Sequence, residues 1–286
     1  GRRMTLRDTL QRMLADGSLD LPRPGLGATG ERHMRLFDIA RRHPVSVARL
    51  GEAHTDAVAI LREAGRVPRP EAFYGVWASS RPGGDVRLHD VTPAEGERSI
   101  GDLVLDGTKA FASGLGVVTH ALITATIDGE NSQVGTAGAT SLVETDVSET
   151  ATVSSTTDHW TTAALAGAAT GSASFTGHRV ANDDLVGPPG WYLDRVGFWH
   201  GACGPAACWA GAAAGLVDAA EEIVDDNPHR RAHLGALRSD VWSLAAVLAA
   251  AGDEIDARPD DMAAAHHRAL ALRHHVERTV ADVLDR

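Results

Sequence analysis

The sequence predicts an α+β protein with an N-terminal helical domain over residues 1–72, a middle antiparallel β-barrel or sandwich domain over residues 73–187, and a C-terminal helical bundle over residues 188–286. Three observations predict it. Apolar residues recur at helical spacing near both ends of the chain. Between Phe73 and Gly187 that period disappears, and short β-branched runs alternate with turn residues. The resulting order of helices, an all-β middle and a helical bundle removes the doubly wound α/β folds, and no glycine-rich phosphate loop opens a helix after a strand.

The first helix, MTLRDTLQRMLADG, closes on Gly17, and LDLPRPGLGATG (residues 19–30) reads as a loop from its proline and glycine content. ERHMRLFDIARRH follows, and then a longer helix in which Val47, Leu50, His54, Val58 and Leu61 share one face until Gly65 and Pro68 stop it. The middle carries the runs FYGVWAS, RPGGDVRLH, DLVLDGTKAFAS, THALITATIDG, TSLVETDVS, TATVSS and GSASFTGHRV, at least six of them strands. In the third run Asp106-Gly107 reads as a tight hairpin turn. After a turn at residues 186–190 come three helical runs: one long alanine-rich run from Trp191 to Asp226, a second from His233 to Ala257, and a third from Asp261 to the end. Ala202–Leu216 has no broad polar face and is expected to be buried on most sides.

Composition narrows the function. The chain has 286 residues, 43% apolar and 23% charged, which is ordinary for a globular protein. A net charge of −11 argues against a nucleic-acid-binding face. Cys203 and Cys208, five apart on a helical run, face different ways and lack metal-ligand spacing. That usage fits a reducing cytoplasm. No run is long and apolar enough to span a bilayer, so a soluble protein without a membrane partner is expected. His267 and His274 lie two helical turns apart, about 10 Å by the helical rise. A chelating pair wants i, i+4 spacing, so no metal site is expected.

Residues 105–114, LDGTKAFASG, carry a family likeness. They resemble the signature LNGxKxWITNG of the flavin-dependent acyl-CoA dehydrogenases, with Gly107 and Lys109 identical, Phe111 in place of tryptophan and Ser113 in place of threonine. FYGVWASSRPGGD resembles YAxTEPxAGSD of the same family, with one residue more between Tyr74 and Asp85. Trp160–Gly190 and HLGALRSDVWSLAA follow the family's order, so the resemblance covers nearly the whole chain.

The resemblance implies an oxidoreductase that binds FAD and carries out α,β-dehydrogenation of an acyl-CoA thioester, assembled as a homodimer or homotetramer or with a homologous subunit. It implies Val76, Trp77, Phe111, Ala112 and Ser113 as cofactor-binding residues, with Phe111 on the flavin ring and Ser113 at its polar edge. Gly84, Trp199 and His200 are implied at the substrate. The family's base is a glutamate, late in the bundle or on its first helix. The first-helix position falls on Gly197, and no matching late segment precedes Arg286. His200, one turn along, is then the candidate catalytic base. The alternative is a non-catalytic flavin- or acyl-CoA-binding homologue, or a structural partner subunit. Glu52 and Asp56 flank His54 and read as solvated, and Arg230 and Arg231 stand near the expected diphosphate anchor at altered spacing.

Overall fold

Thr5 opens the first helix, α1 (Leu6–Ala15), through a capping box in which its hydroxyl accepts from the Asp8 amide and Asp8 accepts from the Thr5 amide. Helix α2 (Thr29–Arg42) begins at Ala28, whose side chain cannot cap it. Its cap comes from far along the chain. Asp256, near the end of a 30-residue helix at Pro228–Ala257, accepts from the amides of Gly27 and Thr29 at 3.1 and 2.8 Å and from the Thr29 hydroxyl at 2.6 Å. Helix α3 (Val45–Glu63) follows, with Val47, Leu50, His54 and Leu61 of the predicted face buried.

The structure, a computed structural model, describes residues 4–79, 85–91, 102–129, 132–157, 160, 163 and 165–286. It divides into two units: Gly1–Glu52 with Arg195–Arg286, and Ala53–Asp194. The boundary falls within α3, and the helices from both ends of the chain belong to one unit.

Among the described residues, the second unit is built on seven strands, β1 (Tyr74–Trp77), β2 (Arg87–Asp90), β3 (Asp102–Ala112), β4 (His120–Ile127), β5 (Thr140–Asp146), β6 (Val153–Thr156) and β7 (Gly171–Ala181). All belong to one sheet, and they coincide with the seven runs read from the sequence. The sheet is mixed, which corrects the expectation of a purely antiparallel one. β1 and β2 both run parallel to β4, on the edge opposite β5, whereas β2·β3, β3·β7, β4·β5 and β6·β7 are antiparallel. Leu88, Leu103, Leu105, Leu122, Ile123 and Phe175 fill the interior. The buried Glu144 carboxylate on β5 accepts from the Tyr74 hydroxyl at 2.7 Å and pairs with Arg66 and Arg69 at 2.6 and 3.2 Å. Burial, with this carboxylate, raises the Tyr74 phenol above its ordinary value.

The predicted hairpin at Asp106-Gly107 does not form. β3 continues straight through it, with a register shift against β7 between Leu105 and Gly107. The dipeptide's tolerance of positive φ is used for a bulge instead of a chain reversal. Gly107 has φ 117°, a Cβ there would lie 2.6 Å from the Asp85 carbonyl oxygen, and the Asp106 carboxylate accepts from the Gly177 amide at 2.7 Å.

In the helical unit, the single run expected from Trp191 is broken into α4 (Trp191–Asp194), α5 (Val196–Gly201) and α6 (Gly204–Ile223), the first of which belongs to the second unit. Helix α7 (Pro228–Ala257) starts where Asn227 caps it with Pro228 in its first turn, and α8 (Met262–Asp285) is capped by Asp261. At Gly211 α6 meets α2 backbone to backbone: a Cβ there would lie 2.1 Å from the Phe37 carbonyl oxygen. Burial of α6 is less complete than expected, because Trp209 and Leu216 stay 37% and 53% exposed on its outer side. Helix α7 is long enough, and apolar enough in its alanine-rich part, to cross a membrane by length and composition alone, contrary to the expectation from sequence. Here its Leu244, Leu248 and Ile255 are part of the core shared with α2, α6 and α8.

Candidate functional site

The two signature segments meet inside the sheet. Lys109 on β3 is fully buried, and its ammonium donates to Asp85 at 2.6 Å and to the backbone carbonyl and hydroxyl of Thr124 on β4 at 2.8 and 2.9 Å. Three acceptors satisfy its three protons. Burial lowers its pKa, and the Asp85 carboxylate opposes that shift. The Thr124 hydroxyl in turn donates to the Ala78 carbonyl at 3.2 Å, one residue beyond β1. A second tie lies further along. The buried Trp77 donates its indole N–H to the Ser113 carbonyl at 3.0 Å.

Beyond this tie the backbone is strained. Among the described residues, four non-glycine residues have left-handed backbone, and three of them, Phe111, Leu165 and Ala169, gather at this corner with φ of 57°, 56° and 43°. Phe111 is the extra residue of a second β3 bulge, skipped between the pairs Ala110–Ser172 and Ala112–Gly171. The turn around Leu165–Ala169 docks on the residues after β3, with the amides of Gly114 and Leu115 donating to the carbonyls of Ala168 and Ala169 at 2.7 and 3.2 Å. Residues held in such conformations cost about 1–3 kcal/mol each and cluster where a site must be held in a set shape.

The bulge also corrects an argument from strand alternation. Phe111 and Ser113 do not share a face by period 2, because Phe111 is the skipped residue and β3 ends at Ala112. Ala112 is buried, Phe111 is turned outward at 54% exposure, and Ser113 lies just past the strand. The Ser113 hydroxyl is 2.8 Å from that of Thr170. A hydroxyl pair uses one of its two protons internally and can offer the other outward. Val76 and Trp77, being neighbours on a strand, point to opposite faces. Sequence reasoning missed Thr170, Leu165 and Ala169, which carry no motif.

Trp199 and His200 belong to α5 of the helical unit. Trp199 packs on His266 at 4.0 Å, and the buried His200 donates from Nε2 to the Pro259 carbonyl at 2.8 Å. Gly84 lies outside the described residues. Glu52 is not solvated as expected: it is 4% exposed and ion-paired with Arg49, because α3 turns that face inward. His54 accepts the Tyr74 amide at 3.1 Å and stacks on Phe73. Arg230 and Arg231 are exposed and paired with Asp225 and Asp226. Burial pushes both cysteine thiols up to about 12, far from a nucleophile's range.

No family model matches the sequence, and no curated protein matches it. Solved structures do match. KijD3 in complex with FMN and dTDP-3-amino-2,3,6-trideoxy-4-keto-3-methyl-D-glucose is 17% identical, over 99% of this chain and 75% of that one, with a TM-score of 0.74. The nitrososynthase from Micromonospora carbonacea var. africana is 17% identical over 97% and 77%, with a TM-score of 0.75. Dibenzothiophene monooxygenase from Paenibacillus sp. A11-2, in its complex with FMN and indole, is 17% identical over 97% and 83%, with a TM-score of 0.73. These flavin enzymes are not acyl-CoA dehydrogenases proper, which overturns the family expected from sequence. The reason is visible in the fold: of the residues that carried the likeness, Lys109 is buried and paired with Asp85, and Gly107 sits at a β3 bulge against the Asp85 backbone, so they serve the sheet. The chain has the fold shared by these solved structures, of which the KijD3 and dibenzothiophene monooxygenase complexes hold FMN.

Proposed function

We propose that this chain is an FMN-dependent oxidoreductase that oxygenates a small organic substrate, with the Phe111–Ser113 corner as its flavin site. The observation that carries the reading is that corner: an outward-facing aromatic, held at energetic cost, beside a hydroxyl pair with a proton to offer. These residues fit the group. Phe111 would pack on the apolar face of the ring, and the Ser113–Thr170 pair would donate to its polar edge. When bound, flavin supplies two-electron redox chemistry with molecular oxygen as co-reactant. Phe111 would orient the ring and keep water from its face.

The residues do not favour proton abstraction beside a thioester. Gly197, where the first-helix glutamate of that family would stand, has no side chain. Oxygen transfer to a nitrogen or sulfur atom asks for no carboxylate base at that position. The test is to titrate the flavin-free protein with FMN and with FAD, then to reduce the bound flavin and follow oxygen uptake with amines, thiophenes and acyl-CoA thioesters. Tighter binding of FMN, and uptake coupled to a nitrogen or sulfur product, is the expected result. Anaerobic bleaching of the flavin by an acyl-CoA, or failure of FMN to bind, would contradict it.

A further inference from the structure

We infer that Trp77 is a positioning residue, which shapes the Phe111–Ser113 corner from inside without touching the cofactor, and that the missing side chain of Gly75 is what allows it. This rests on reading that corner as the flavin site. Trp77 is only 2% exposed, so its ring is spent on the interior, and its one polar atom donates to the Ser113 carbonyl. β1 carries Trp77 and pairs with β4, whereas β3 pairs with β2 and β7. The indole therefore spans two strands that no ladder joins, and it grips the chain two residues after the strained Phe111.

Gly75 and Trp77 lie on one face of β1, two residues apart. A Cβ at position 75 would lie 2.8 Å from the indole Nε1, 3.4 Å from Cδ1 and 3.3 Å from Val118 Cγ1. The indole is thus folded over the glycine, which gives its N–H the reach to Ser113. Any side chain at 75 must push the indole away. With the Ser113 carbonyl fixed, the Ser113 side chain is set toward Thr170, and the left-handed turn at Phe111 has a rigid far end.

Two substitutions break this device by different routes. Trp77→Phe keeps the ring and removes the donor; Gly75→Ala keeps the donor and removes its seat. In the flavin-free protein, both are expected to speed amide exchange across residues 110–116 and leave exchange in α6 and α7 unchanged. In the wild-type background FMN is expected to bind, and each variant should raise its dissociation constant about three- to tenfold, the worth of one hydrogen bond, and shift the flavin's visible band. A wild-type protein that binds no FMN defeats the flavin reading. Wild-type binding matched by both variants in affinity, band position and exchange defeats the positioning role. A Gly75→Ala variant that behaves as wild type while Trp77→Phe does not defeats the seating argument.

Discussion

Lys109 and Asp85 form an ion pair with 2.6 Å between nitrogen and oxygen, inside the curled sheet, with the lysine side chain fully out of solvent. Both residues belong to the sequence segments that carried the family likeness, and their pairing shows why the segments occur together. Lys109→Met takes the ammonium from the Thr124 carbonyl and from Asp85, which keeps the Val86 amide as a donor at 3.0 Å. It should cost about 1–3 kcal/mol, the usual penalty when a buried polar group loses its partner. Asp85→Asn together with Lys109→Met should recover part of that loss. Denaturant unfolding of the two single variants and the double variant measures the coupling; strict additivity would mean the pair contributes nothing.

Asp256 closes the open end of α2 from α7. Burial works to raise its pKa, but the Thr29 hydroxyl and the amides of Thr29 and Gly27 outweigh it and hold the carboxyl below its ordinary 3.8. A folded-state value below the unfolded one gives stability that is complete above the unfolded value and is lost as pH falls through the folded one. Asp256→Ala should cost about 1–2 kcal/mol at neutral pH, the usual worth of a helix cap. The difference from wild type should shrink below pH 3.8. Thermal unfolding across pH 2–7 checks both statements, and a constant difference over that range would contradict them.

Two glycines in helices should respond to the same substitution with opposite signs. At Gly211 a Cβ would lie 2.1 Å from the Phe37 carbonyl oxygen and 2.8 Å from its carbon, so Gly211→Ala must push α2 off α6, at a cost of about 1–3 kcal/mol or more. At Gly235 in α7 nothing lies within 4 Å of the added methyl. Gly235→Ala should stabilise by about 0.5–1 kcal/mol through helix propensity alone. Unfolding midpoints decide both, and destabilisation at Gly235 would show that α7 is packed on that side.

The strands were legible because β-branched runs separated by turn residues report local conformation directly. Their pairing was not: nothing in FYGVWAS or DVRLH says that both lie parallel on the same edge of THALITATI, since ladder partners are set by distant contacts. Asp106-Gly107 announced a positive φ correctly, but a bulge and a hairpin make the same demand on the backbone. Phe111 was placed in the functional segment by likeness, yet its left-handed backbone was invisible, because an aromatic is a poor host for φ > 0 and only the surroundings impose it. Asp256 capping Thr29 is a contact 227 residues apart in sequence, beyond any local pattern.

The most direct test of the account is Phe111→Gly, measured for stability and for FMN binding on the same preparation. Glycine adopts the φ of 57° without strain, and the phenylalanine ring is 54% exposed, so little packing is lost. Relief of the left-handed backbone should raise stability by about 1 kcal/mol. FMN affinity should fall about tenfold or more, since the ring's stacking surface is gone. A variant that folds more stably and binds flavin worse is the predicted result. A variant that binds FMN as tightly as wild type would contradict the claim that this strained corner exists to hold the cofactor.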